Sequence, residues 1–149
     1  AQGVVVDWHL HQASAPADSG QVPASLERLG ARFGPEVIEA IGGDRGFDSA
    51  ANRTLLAEAD VFNGLCPRGA AELKRRRHGA RFVRMQRRRS QTEGRIGILK
   101  NDFLGRPLRA KGYAHRALAV SWSVLAHNLW VLARLETAAE AAAARRKAA

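Results

Sequence analysis

One cysteine, Cys66, stands among 149 residues, so no internal disulfide can form and a reducing cytoplasm is the expected compartment. No apolar stretch approaches the roughly 20 residues that cross a bilayer, and the N-terminus lacks the charged-then-apolar pattern of a secretion signal. A glycine-rich nucleotide loop is missing, and so is any internal repeat. Acidic charge is scarce too: 14 Asp and Glu stand against 24 Lys and Arg, a net charge of +10. What is present is a hydrophobic fraction of 46%, enough for one core of ordinary size and too high for a disordered chain. The first residue is Ala1 and not Met, which leads us to expect the later part of a longer reading frame.

The positive charge is concentrated. Residues 1–67 carry four Arg and nine acids, residues 68–116 carry sixteen Lys or Arg and three acids, and the remainder carries four against two. The middle block, at +13, exceeds the whole net charge. Such a block points to a polyanion. Nucleic acid is favoured over a membrane surface, because the Arg are not laid along one strongly apolar helix.

Periodicity predicts the elements. Val4 to His11 alternates as a strand, and the Ser, Pro, Asp and Gly of residues 14–20 break it. Leu26, Leu29 and Phe33 are spaced for a helix over 25–33, stopped by Gly34-Pro35. Val37 to Gly43 reads as a second strand, Ser49 to Ala59 as a helix capped by Ser49 or Asp48, and Asp60 to Asn63 as a short third strand. This order implies parallel pairing, right-handed crossovers and an α/β sheet with flanking helices. Residues 64–90 read as an exposed basic segment, part loop and part helix. A long helix over 115–135 carries Leu118, Trp122, Leu125, Leu129 and Leu132, a stripe suited to covering the sheet, and residues 136–149 form an Ala/Arg-rich tail expected to fray.

Ligands of such sheets gather beyond the carboxyl ends of strands, and Asp44 in Gly43-Asp44-Arg45-Gly46-Phe47 closes the second strand. Downstream, at about 100° per residue, Arg89, Glu93 and Lys100 fall on nearly one helix face, roughly 16 Å from first to last. Alone, Asp44 before a turn and Glu93 four residues after Arg89 are ordinary surface features. Together and in this order they have a precedent. An Asp-x-Gly-Phe followed by Arg, then Glu four residues on and Lys seven after that, resembles bacterial insertion-sequence transposases of the DD-E type. The resemblance runs from about Val4 to Leu135, and departs where the family usually has Tyr three residues before the Arg and this chain has Gln86.

The resemblance implies an RNase-H-like catalytic domain, of which residues 1–135 are the C-terminal portion, and DNA transposition as its activity. It implies Asp44 and Glu93 as catalytic carboxylates holding Mg²⁺ or Mn²⁺, since two-metal phosphodiester chemistry uses clustered carboxylates and ions roughly 4 Å apart. Lys100 and Arg89 would contact DNA and orient a carboxylate or phosphate. The run that includes Arg75, Arg76, Arg77, Arg87 and Arg88 would grip the backbone of the transposon ends, and a homo-oligomer is compatible with the resemblance.

Asp7, after an apolar run, imitates the family's first acid. Only 36 residues separate it from Asp44, room for one strand and one helix where the fold needs two further strands. Val4 to Leu10 is therefore assigned to the third strand of the family fold, the first Asp is expected to be missing, and the chain to be catalytically incomplete. A non-catalytic nucleic-acid-binding module and an inactive remnant with an open sheet edge are the rival readings. His9, His11 and Cys66 are a weak zinc set, and His127 is expected in a core or interface.

Overall fold

The computed structural model describes residues 3–147, which leaves the last two residues of the expected tail outside the described residues. The protein is mixed α/β and mostly helical: α1 (Asp18–Phe33), β1 (Ala40–Gly43), α2 (Ala50–Glu58), β2 (Phe62–Leu65), α3 (Ala70–Arg76), α4 (Ala80–Ile98) and α5 (Tyr113–Lys147). It divides into two compact units, residues 13–91 and residues 1–12 with 92–149.

The first unit is built on a two-stranded parallel sheet in which Ala40 faces Phe62 and Gly43 faces Leu65. The parallel order expected from strand, helix, strand is observed, with two strands among the described residues in place of three. Val22, Leu56, Val61 and Leu65 form its core, flanked by Leu26, Ile38, Ile41 and Phe47. Helix α1 starts at Asp18, well inside the stretch expected to be a breaker, and runs through Pro23. Proline has no N–H to give the carbonyl four residues back, which would leave Ser19 O unpaired. Asn52 Nδ2 supplies the missing donor at 2.8 Å, and also donates to Phe47 O at 2.8 Å. Asn52 is buried, and this one amide ties α1, α2 and the loop after β1 together. Ser49 is the N-cap of α2, accepting from Asn52 N at 3.0 Å.

Parallel pairing directs Phe62 N to Glu39 O and Cys66 N to Gly43 O. Alternation then turns the groups of Asn63 and Leu65 to the other edge of β2. That edge is sealed by side chains. Arg76 donates to Asn63 O and to Leu65 O, and Asn63 Oδ1 accepts from Leu65 N at 3.0 Å. Gly64 is required by close approach, because a Cβ there would lie 2.7 Å from Ile41 O.

In the second unit the expected strand at Val4–His11 does not form. Val5 N donates to Asn128 Oδ1, and Asn128 Nδ2 donates to Val5 O, both at 2.8 Å. Tyr113 Oη donates to Leu10 O at 3.2 Å. These ties lay the segment along α5 in the opposite direction. The carboxamide of Asn128 takes the place of a strand partner, and the alternation does not mark the side that meets the helix, since Val6 and Trp8 are exposed while Val5 and Asp7 are half-buried. The five residues of the expected stripe are all exposed. Helix α5 buries another face, with Ser123, Val124, His127 and Val131, against which Phe103 packs. Periodicity names the apolar positions of a helix but not which face finds a neighbour. The helix continues to Lys147, so the Ala-rich tail is helical as far as it is described.

A basic cleft at the carboxyl end of the sheet

The short loop after β1 is the first part of the site. Asp44 ends the strand, and its Oδ1 accepts from Gly46 N at 2.8 Å, fixing a 3₁₀ turn over Arg45–Phe47. Gly46 has no room for a side chain, because a Cβ would run into the Asp18 carboxylate and stand 3.1 Å from Asp44 Oδ1. Two acids therefore flank Gly46. Asp18 went unrecognised in the sequence because it sat in a presumed loop with no motif around it.

Beneath this turn, Asp48 is 2% exposed. Its carboxylate receives Arg53 Nη1 on both oxygens at 3.0 Å and Arg68 N at 3.0 Å. Arg68 then reaches over the turn itself, donating Nε to Arg45 O at 3.0 Å and Nη2 to Gly46 O at 3.2 Å. A buried carboxylate needs such partners, and here they lock the loop that carries Asp44. Asp48, Asn52 and Arg68 were missed as site-shaping residues. Asp48 had been read only as a possible helix cap, and its pairing with Arg68 is long-range.

The basic segment supplies the second part. A cleft of about 830 Å³ is lined by Asp44, Arg45, Gly46 and Cys66 on one side and by Leu73, Arg77, Phe82, Val83, Gln86, Arg87, Arg89 and Ser90 from α3, α4 and the turn between them. Asp44, Arg77, Arg87 and Arg89, all expected as site residues, are thus brought to one hollow. Gln86, where the transposase pattern has Tyr, also lines it and donates Nε2 to Gly64 O at 2.8 Å.

The remaining expected residues lie elsewhere. Arg76 turns inward to the β2 edge, with its guanidinium 4.5 Å from the Phe82 ring centroid, and burial lowers its pKa from the usual arginine value. That guanidinium is committed to the sheet. Arg81 behaves alike, donating to Glu39 O at 3.1 Å and stacking 4.3 Å from the Phe62 centroid. Arg75 is ion-paired with Glu72 on the exposed side of α3, and Arg88 is exposed on α4. Glu93 and Lys100 belong to the second unit. Glu93 is exposed on the last turns of α4. Lys100 falls in a π-helical turn, Leu99–Leu104, so the α-helical phase that would align it with Arg89 and Glu93 stops at Ile98. A Cβ on Gly94 or Gly97 would meet no atom within 4 Å among the described residues outside its own helix backbone, so no packing there accounts for them.

A divalent ion wants several oxygen ligands, and among the described residues no group of three His, Cys, Asp or Glu side chains is gathered. Asp44 with its neighbours in this cleft does not by itself fit Mg²⁺ or Mn²⁺. His9 and His11 stack edge-to-face at 4.7 Å and gather no third ligand. No protein family, curated protein or solved structure matches the chain.

Proposed function

We propose that the cleft beside Asp44 takes the phosphate backbone of nucleic acid, duplex DNA in particular, and that the chain is the C-terminal part of an RNase-H-like catalytic domain of an insertion-sequence transposase. One observation carries the binding half of this reading: Arg45, Arg77, Arg87 and Arg89 line a single hollow with one carboxylate at the end of a parallel strand. Guanidinium groups hold phosphate by paired hydrogen bonds, and an open cleft admits a polymer. The transposase half rests on the order of Asp44, Arg89, Glu93 and Lys100 in the sequence. The Mg²⁺ of an intact site would need carboxylates beyond this cleft, and no step is derived through it.

A second reading, a nucleic-acid-binding module without catalysis, is favoured by the same arginine-lined cleft, since guanidinium groups hold phosphate without a metal. Titration of duplex DNA at several salt concentrations tests the shared part. Binding should fall log-linearly with salt, and Arg77→Ala with Arg87→Ala should flatten the slope by about one unit per lost phosphate contact. Salt-insensitive binding, or an unchanged slope, would remove the cleft from the DNA surface. For catalysis, the chain alone should give no Mg²⁺-dependent nicking. Robust nicking abolished by Asp7→Ala would make Asp7 the first metal ligand and overturn the incomplete reading.

A further inference from the structure

No acid stands between Asp102 and Glu136, and the stretch between them carries Arg106, Arg109, Lys111, Arg116 and Arg134. The first three lie on the loop of residues 105–112, which joins the π-helical turn to α5 inside the second unit. All three are exposed, whereas Leu108 and Ala110 between them are half-buried. None of the three cations takes part in an ion pair or a side-chain hydrogen bond among the described residues. In this they differ from Arg68, Arg76 and Arg81, whose guanidinium groups are committed to carbonyls of the first unit.

The loop is pinned. Gly105 and Gly112 turn the chain at its two ends with φ of 78° and 75°, a region in which a side chain is strained. Arg116 Nε donates to Ala110 O at 3.3 Å, and His115 Nδ1 lies 3.1 Å from Lys111 O. Directly after Gly112 comes Tyr113, 43% exposed, whose hydroxyl donates to Leu10 O. A ring fixed at its polar end and open to solvent therefore adjoins three uncommitted cations.

We propose that this loop is a second nucleic-acid surface and takes an unpaired strand, with Arg106, Arg109 and Lys111 on its phosphates and a base stacked on Tyr113. The choice of nucleic acid among polyanions rests on the reading of the cleft beside Asp44, and the choice of an unpaired strand rests on this loop alone. Arg109 and Lys111 alternate with half-buried neighbours as on extended backbone, where residues two apart stand about 7 Å from each other, close to the step between successive phosphates. Paired bases keep their faces within the stack, so an exposed ring beside a cationic track serves a strand whose bases are free. A membrane surface would draw on the same cations. Insertion of Tyr113 into it would break the hydrogen bond to Leu10 O, however, which stacking leaves in place.

The test is fluorescence anisotropy of the full chain with oligothymidylate and with a duplex of equal length. Arg106→Ala with Arg109→Ala and Lys111→Ala should weaken the single strand at least about 30-fold and lower its salt slope by about two units, at roughly 0.7 per single-strand phosphate. Duplex affinity should change less than about threefold. Tyr113→Leu should weaken the single strand about tenfold, and Tyr113→Phe, which removes only the hydroxyl tie, should keep it within about threefold of the native value. Arg77→Ala with Arg87→Ala should leave oligothymidylate within about threefold; a larger loss would assign the strand to the cleft and overturn the proposal. If duplex is bound by neither surface while oligothymidylate follows the loop changes, the reading of the cleft fails and this proposal stands. If the three loop changes leave oligothymidylate unaffected or weaken duplex equally, or if Tyr113→Leu has no effect, the proposal is overturned even where the cleft binds duplex. Co-sedimentation with phosphatidylglycerol vesicles that is lost in the loop variant, without binding of oligothymidylate, overturns it in favour of a membrane surface.

Discussion

Arg76 and Arg77 are neighbours in one run of basic residues, yet they belong to two regions with opposite uses of charge. At the open edge of β2, at the start of β1 and over the Asp44 loop, Arg76, Arg81 and Arg68 respectively give N–H groups to backbone carbonyls, and Arg76 and Arg81 also stack on aromatic rings. Around the cleft, Arg77, Arg87 and Arg89 line a hollow large enough to admit a ligand. Net charge counts both sets alike. A carbonyl row at a sheet edge needs donors as much as a phosphate does, and a fork of five donors serves either. The lesson is that a basic block of +13 overstates the cationic surface left for a polyanion.

The largest expected effect comes from the carboxylate that organises the first set. Asp48→Ala should cost about 3 kcal/mol of unfolding free energy, because it strands Arg68 N and frees the loop that carries Asp44. Urea melts check this, and a cost under about 1 kcal/mol would break the claim that the loop is held from below. Next is the neighbouring pair: Arg76→Ala should destabilise by about 2 kcal/mol, uncovering Asn63 O, Leu65 O and the ring of Phe82, while Arg77→Ala should stay within about 0.5 kcal/mol. Equal costs would erase the distinction. On the binding side, Arg87→Ala should weaken duplex DNA by about 1 kcal/mol and lower the salt slope by about one, with no change in melting. The smallest effect sharpens the reading of the exposed glycines. Gly94→Ala and Gly97→Ala should each stabilise α4 by at most about 1 kcal/mol, since a Cβ meets nothing there; if a DNA strand passes close by, the same changes will weaken its binding in the titration.

Local chemistry was well read from the residues alone. Ser49 caps α2, Asp44 ends a strand, and the two short strands pair in parallel, because turns, caps and crossovers depend on neighbours in the chain. Helix α1 starts at Asp18, inside the Ser, Pro, Asp and Gly stretch of residues 14–20 that reads as a breaker, and its turn at Pro23 is completed by Asn52 donating to Ser19 O from 33 residues away. Val4 to His11 alternates like a strand, yet the segment is tied along a helix through the carboxamide of Asn128, which no local pattern announces.

The candidate site divides the same way. That Asp44 would sit beyond a strand with basic helices following was determined by order and composition, which are properties of the chain. Which arginines would face the cleft, and that Asp18 would stand beside Gly46, was decided only by tertiary structure. A guanidinium takes whichever carbonyl, ring or solvent the fold puts within its reach, and its position in the sequence does not say which.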